Sequence, residues 1–145
     1  MNEATRNARV QVPRVSGVEL SYDWFCRAVG LICMVMGLAY WVRLIGFYDG
    51  ALWRFDLMPL HWQVACTVLS VLFPIAATGL WMTVSWGPVI WILAVATEIA
   101  MYAGFPELYG ARPSLVALHV MTVIVFAALR MLLAWEAYKR TERPQ

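Results

Sequence analysis

A run of 41 residues without Asp, Glu, Lys or Arg separates Asp56 from Glu98, and it limits what this chain can fold into. As one helix, at about 1.5 Å per residue, the run would extend about 60 Å, roughly two hydrocarbon thicknesses of a bilayer. It must therefore fold back on itself. Gly and Pro interrupt the helical pattern in the segment TVSWGP at 83–88, which predicts a tight hairpin. The run thus predicts two membrane helices, near 60–82 and 88–105.

The composition of the chain indicates the same class of protein. Of its 145 residues, 62% are hydrophobic and 14% are charged. An ordinary soluble chain is about 45–50% apolar and about 25% charged. The excess excludes a disordered chain, and a net charge of only +2 gives no reason to expect a nucleic-acid partner. We therefore expect the lipid bilayer to be the main environment of the protein.

Two further apolar stretches flank the predicted hairpin. The first helix, near 22–45, contains a charge-free stretch of 15 residues, and Trp24 and Trp41 are spaced as interfacial anchors. The last helix, near 113–135, begins with Pro113, a residue favoured in the first turn of a helix. The predicted fold is therefore all-α: a polytopic membrane protein with four transmembrane helices in a bundle.

The charged tails determine the predicted domain organisation. Ser16 and Glu19 have the spacing of a capping box, so a helix is expected to begin there. Residues 16–141 are predicted to form a single four-helix membrane domain. Residues 1–15 have no periodic apolar face and are predicted to be a mobile cytoplasmic arm, and residues 142–145 a short tail.

The orientation follows from Lys and Arg near the ends of the helices, because these residues accumulate on the cytoplasmic side. Eight of the 11 lie in the tails or at adjoining helix ends. The opposite side holds three: Arg43, Arg54 and Arg112. Both termini are therefore predicted to be cytoplasmic. The segments 46–60 and 105–112 would then face outward, and the first of these is rich in aromatic residues.

Small residues form a stripe on each of two predicted helices. Small side chains allow another helix to approach closely in a membrane. The stripe on the first helix predicts packing within the bundle. The stripe on the third helix either packs within the bundle or contacts a second copy of the chain. The helix-packing residues predicted in this way are Gly30, Cys33, Gly37, Ala96, Ala100 and Gly104.

Glu98 is the acid that lies well inside a predicted span, where it costs about 2.5–3.5 kcal/mol on insertion scales. It lies about 10 Å from the outer end of the third helix, and His119 lies about 9 Å below the outer end of the fourth. The two side chains are therefore predicted to meet. They form either a polar pocket that opens outward or a hydrogen bond that fixes helix register. Other candidates at compatible heights are Tyr40, Arg43, His61 and Tyr102.

No pattern in the sequence indicates a cofactor, a metal ion or a catalytic residue. A bis-histidine haem site needs two imidazoles facing each other, but His61 lies at the very edge of its helix. Cys26, Cys33 and Cys66 have no CxxC spacing, so neither a redox dithiol nor a zinc site is supported. We therefore expect no cofactor and no metal, and we assign no catalytic residue.

Several short motifs carry a resemblance to a known family. They are WVRLIGFY at 41–48, SWGP at 85–88, Glu98, and AGFP at 103–106. Over about residues 20–138 the chain resembles a small family of alphaproteobacterial inner-membrane proteins of unknown function. The resemblance implies a multi-pass location in a bacterial inner membrane and supplies no reaction. The layout is also similar to that of DoxX-like four-helix membrane proteins, but their functional residues match no position here.

Three classes of function remain open from the sequence. The first is a non-enzymatic accessory or assembly component that contacts another membrane protein or forms a homodimer, which fits the small extramembrane parts. The second is a small proton-coupled transporter or carrier that uses Glu98. The third is a membrane oxidoreductase or lipid-modifying enzyme with an outward-facing pocket at Glu98 and His119. Catalysis needs a nucleophile or a cofactor, and no residue spacing in the sequence indicates either one. The first class is therefore preferred.

Overall fold

The computed structural model describes residues 16–141, and all regular secondary structure in that range is helical. A 3-10 helix at Phe55–Leu57 precedes the second helix, and a π-helix at Ala100–Gly104 continues the third. The predicted arm 1–15 and tail 142–145 lie outside the described residues. The α-helices are α1 (Gly17–Ile45), α2 (Leu60–Trp81), α3 (Gly87–Ile99), α4 (Pro106–Tyr109) and α5 (Pro113–Thr141).

Four of the helical segments are long and apolar enough to cross a membrane: α1, α2, α5, and α3 together with the π-helix. The predicted all-α fold with four such helices is therefore confirmed, and it indicates a multi-pass membrane protein. Helices α1 and α5 have 29 residues each. At about 1.5 Å per residue each is about 43 Å long, more than the hydrocarbon core of about 30 Å requires.

The long helices form an up-and-down bundle. Helix α1 packs against α2 and α5, and α3 packs against the same two neighbours. Residues 46–59 and 105–112 lie together at one end of the bundle, which we call the loop end. Ser16, the α2–α3 hairpin at 82–86 and Thr141 lie at the other end, which we call the terminal end.

Polar contacts join α1 and α5 at the terminal end. The capping box predicted from Ser16 and Glu19 is present: Ser16 Oγ accepts from Val18 N at 3.2 Å, and Glu19 accepts from Ser16 N at 3.0 Å. The Ser16 hydroxyl also donates to Glu136 of α5 at 2.5 Å. Arg140 of α5 lies 3.5 Å from Glu19. The first turn of α1 is thus capped and attached to α5 at the same place.

Small residues of α1 allow close contact with α2. A Cβ atom on Gly37 would lie 2.8 Å from the ring of Pro74, and one on Gly30 would lie 3.2 Å from the carbonyl oxygen of Ala77. Cys33, between these glycines, is buried. Helix α1 therefore packs its small-residue stripe directly on the backbone and proline ring of α2.

The α2–α3 hairpin depends on an equally close glycine contact. A Cβ atom on Gly79 would lie 2.6 Å from the Cα atom of Gly87, so the two helices nearly touch as they leave the turn. The turn is closed by a hydrogen bond of 3.2 Å from Val84 N to the Gly79 carbonyl. Within it, Thr83 has a φ of +51°, a left-handed conformation that β-branched residues rarely adopt.

The core is built mostly from α1, α2 and α3. Helix α5, which the structure describes in full, buries only His119. The stripe on the third span behaves differently from the one on α1, because Ala96, Ala100 and Gly104 are exposed on the surface of the bundle. The sequence left two alternatives for this stripe, packing within the bundle or contact with a second copy of the chain. Packing within the described bundle is not observed.

Candidate functional site

Glu98 forms the centre of a buried polar cluster. Its side chain is 1% exposed, and each carboxyl oxygen has a partner on a different helix. The Tyr40 hydroxyl of α1 donates to Oε1. His119 Nε2 of α5 lies 2.5 Å from Oε2. We call Tyr40, Glu98 and His119 the Glu98 cluster; it joins α1, α3 and α5 in the interior of the bundle.

The helical register of α3 positions the acid. Trp91, Ala94, Val95 and Glu98 are all buried, at the 3-and-4 spacing of one helical face. Beyond Ile99 the chain forms a π-helix, closed by a hydrogen bond of 3.1 Å from Phe105 N to the Ala100 carbonyl. Tyr102, which lies within this π-helix, is buried about one turn from Glu98. Segments of π-helix often occur at functional sites.

The cluster can hold one proton in two arrangements. Because the Tyr40 hydroxyl donates, Oε1 of Glu98 accepts. Between Oε2 and His119 Nε2, the proton belongs either to the imidazole, facing a carboxylate, or to the carboxylic acid, facing a neutral imidazole. Both arrangements satisfy the buried groups without movement of the heavy atoms. The same geometry therefore suits a fixed contact between helices and a site that exchanges a proton.

A partly open cavity of about 100 Å³ adjoins the cluster on the side of the loop end. Glu98 and Tyr40 contribute to its wall, together with Tyr102. Two cations, Arg43 and Arg112, also line it. The structure therefore brings most of the predicted pocket residues together around one space.

Aromatic rings surround the first of these cations. The guanidinium carbon of Arg43 lies 4.9 Å from the centre of the Trp53 ring, 5.3 Å from that of Trp62 and 5.7 Å from that of Tyr40. Such contacts stabilise a cation by about 0.5–2 kcal/mol, depending on its exposure. The aromatic segment predicted from 46–60 thus contributes one side of the cage around Arg43.

His61 does not line the cavity. Its Nε2 atom lies 3.1 Å from the carbonyl oxygen of Leu108, and the Tyr109 hydroxyl donates to the His61 carbonyl at 3.0 Å. Burial raises the pKa of Tyr109 above its usual value of 10.0. His61 therefore fastens α4 to the start of α2 instead of contributing to the pocket.

Sequence reasoning missed Arg112 as a site residue. Its guanidinium carbon lies 5.5 Å from the centre of the Tyr102 ring at the opening of the cavity. Arg112 directly precedes α5, and Arg43 lies two residues before the end of α1, so both are at the loop end of a long helix. Arg43 became a candidate because of its depth along the predicted helix. The same reasoning applies to Arg112, so the sequence alone could have identified it.

The described residues contain no cluster of side chains of the kind that holds a metal ion. Cys26, Cys33 and Cys66 are free thiols, each buried in the core. Within 16–141, no three His, Cys, Asp or Glu side chains are grouped closely enough to hold a metal ion. The Glu98 cluster contains two groups of the type that ligate metals, and its Tyr40 hydroxyl acts as a hydrogen-bond donor.

Comparison with known proteins establishes the family of the chain. Residues 20–137 match a family of unknown function, DUF6163, and the chain belongs to that family. This range contains the second and third spans in full and most of the first and the last. It also contains the Glu98 cluster and both arginines of the cavity. No curated protein and no solved structure matches the chain.

Proposed function

We propose that this protein is a non-enzymatic component of a bacterial inner membrane that assists or assembles with another membrane protein or with a second copy of itself. The observation that carries the proposal is the exposed face of the third span, formed by Ala96, Ala100 and Gly104. Successive members of this face are four residues apart, so they lie along one side of the helix.

Gly104 is the clearest member of this face. A Cβ atom added there would meet no atom within 4 Å, and its φ is not positive. Glycine in a helix costs up to about 1 kcal/mol relative to alanine. Nothing in the described chain needs a glycine at this position. Close approach of a helix from another chain supplies the missing reason, because small residues let two helix backbones pack in a membrane.

Charge distribution and family resemblance support the proposed location. Eight of the 11 Lys and Arg residues belong to the terminal side of the chain, which favours cytoplasmic termini. The loop end then faces away from the cytoplasm. Resemblance to alphaproteobacterial inner-membrane proteins, and the layout shared with DoxX-like proteins, favour the bacterial inner membrane.

Cysteine crosslinking tests the proposed interface. The native thiols are buried, so single variants Ala100→Cys and Gly104→Cys present one new accessible thiol each. We expect a thiol-directed photo-crosslinker attached to either variant to give a discrete crosslinked dimer or heterocomplex in native membranes. Val125→Cys on α5, exposed but outside the face, is the control and should stay monomeric. Monomeric behaviour of all three variants would contradict the proposal.

A second candidate function is a proton-coupled carrier, favoured by the cavity beside the Glu98 cluster. A buried acid that shares a proton with His119 and adjoins a partly open space has the parts that proton exchange requires. Reconstituted into liposomes with an imposed pH gradient, the wild-type protein should dissipate the gradient faster than Glu98→Gln. Arg54→Gln, which alters an arginine outside the cavity, is the matched control. Equal rates for the wild type and Glu98→Gln would reject the carrier role.

A further inference from the structure

Arg43 and Arg112 are cations without a carboxylate partner among the described residues. Within 16–141, the ion pairs of arginine are those of Arg54 with Asp56 and of Arg140 with Glu19 and Glu136. Arg43 and Arg112 instead lie over aromatic rings. A guanidinium carries five N–H donors, and a contact with an aromatic ring does not replace a hydrogen-bond acceptor for them. Both cations are therefore able to bind an anion.

The two arginines line the same cavity, although they come from distant parts of the sequence. Arg43 is half-buried near the end of α1, and Arg112 is exposed in the turn before α5. The cavity of about 100 Å³ corresponds to about three water molecules at liquid density. A group of four or five heavy atoms fits such a space.

We propose that this cavity binds a single oxyanion group, a carboxylate or a phosphate, between the guanidinium groups of Arg43 and Arg112. Planar guanidinium groups match the oxygens of these anions in paired hydrogen bonds. Partial burial strengthens the attraction relative to bulk water. The inference goes beyond the proposed function, because it concerns a ligand site that the assembly role does not need.

Glu98 limits the affinity of this site. Its carboxyl group lines the same cavity, so in the arrangement that places the shared proton on His119 its negative charge opposes a bound anion. The contacts from Tyr40 and His119 disperse part of that charge. Glu98→Gln retains the shape and an acceptor for Tyr40 while removing the charge. We therefore expect this variant to bind the anion more tightly than the wild type does.

The aqueous and the lipid source of the oxyanion are tested separately. Inorganic phosphate and acetate are titrated into the full chain in an uncharged detergent, with binding followed by calorimetry. In the second arm, the thermal midpoint is compared between nanodiscs of phosphatidylglycerol and of phosphatidylcholine. Binding in the first arm indicates a soluble ligand, and stabilisation confined to phosphatidylglycerol nanodiscs indicates a lipid headgroup. Either result supports the oxyanion site.

Variants of Arg43 and Arg112 test whether the anion binds in this cavity. Arg112→Gln removes one charge-assisted contact and should weaken anion binding about tenfold or more. Because Arg112 is exposed, this substitution leaves the core intact. Arg43→Gln should have the same effect. If this neutral variant does not fold, Arg43→Lys, which keeps the charge, is used in its place. Arg54→Gln, at the same end of the bundle but outside the cavity, should bind normally. No response to any of the anions, or an equal loss in Arg54→Gln, would overturn the proposal.

Discussion

The indole nitrogen of Trp41 on α1 donates a hydrogen bond of 3.0 Å to the carbonyl oxygen of Ser70 on α2. This carbonyl is the acceptor that Pro74 leaves free, because proline has no N–H to donate to the residue four positions earlier. An unsatisfied backbone carbonyl is costly in a bilayer, where water cannot replace the missing donor. Trp41 therefore compensates for the proline from a neighbouring helix.

The first prediction concerns this hydrogen bond. Trp41→Phe keeps an aromatic ring but removes the donor, so it should lower the free energy of unfolding by about 1 kcal/mol, as interhelical hydrogen bonds in membranes do. Thermal unfolding in detergent measures the change. Trp24→Phe on the same helix, at a more exposed position, should have little effect. In a Pro74→Ala background the loss should shrink, because the substituted alanine supplies its own backbone N–H to the Ser70 carbonyl.

The second prediction concerns the contact between Gly37 and Pro74. Gly37→Ala places a methyl group 2.8 Å from two ring carbons of Pro74, which is closer than carbon atoms pack. We expect a loss of about 1–3 kcal/mol, typical of overpacking in a core. Gly17→Ala is the control because its methyl group meets no atom within 4 Å. Equal unfolding midpoints for the two variants would show that α1 and α2 do not pack as described.

The third prediction concerns the left-handed residue of the α2–α3 hairpin. Thr83 has a φ of +51°, whereas asparagine tolerates this region better than a β-branched residue does. Thr83→Asn should therefore raise the free energy of unfolding by up to about 1 kcal/mol. Thr97→Asn, in the last turn of α3, where the backbone is helical, should give no such gain. A fall in the unfolding midpoint of Thr83→Asn would argue against the left-handed turn.

The fourth prediction separates the charge of Glu98 from its hydrogen bonds. Glu98→Ala leaves the Tyr40 hydroxyl and His119 Nε2 without their partner, and we expect a loss of about 1–3 kcal/mol for the two contacts. Glu98→Gln accepts from Tyr40 and donates to a neutral His119, so its loss should be smaller. Unfolding midpoints of both variants in the same detergent provide the test. Equal destabilisation would mean that the charge itself holds the cluster together.

The sequence predicts the four spans well because charge depletion and helix-breaking residues are local signals. The long uncharged run and the Gly-Pro pair indicate α2, α3 and the turn between them within a few residues. The depths of Glu98 and His119 in the bundle can also be predicted, because they follow from the number of residues to the helix end and the rise per residue. Within the bundle, the two side chains are 2.5 Å apart.

Features that depend on helix rotation were not predicted from the sequence. The spacing of Trp41 predicts an interfacial anchor, but its indole donates to the Ser70 carbonyl on α2, one turn of α1 from the close contact of Gly37 with Pro74. His61 has the height of the pocket but faces Leu108, since height says nothing about direction around the helix axis. The π-helix at Ala100–Gly104 has no distinctive composition, because its formation depends on packing around it.

Helix α5 buries a single side chain, and this has a consequence for synthesis of the protein. Its polar contacts to the remaining helices lie near opposite ends, at His119 with Glu98 and at Glu136 with Ser16. Helices α1 to α3 leave the ribosome first, so during that interval Glu98 has Tyr40 but not yet His119. The acid acquires its second partner only when the last helix inserts. A chain interrupted before α5 therefore carries an incompletely paired carboxyl group into the bilayer, a feature by which membrane quality control can distinguish it from the finished protein.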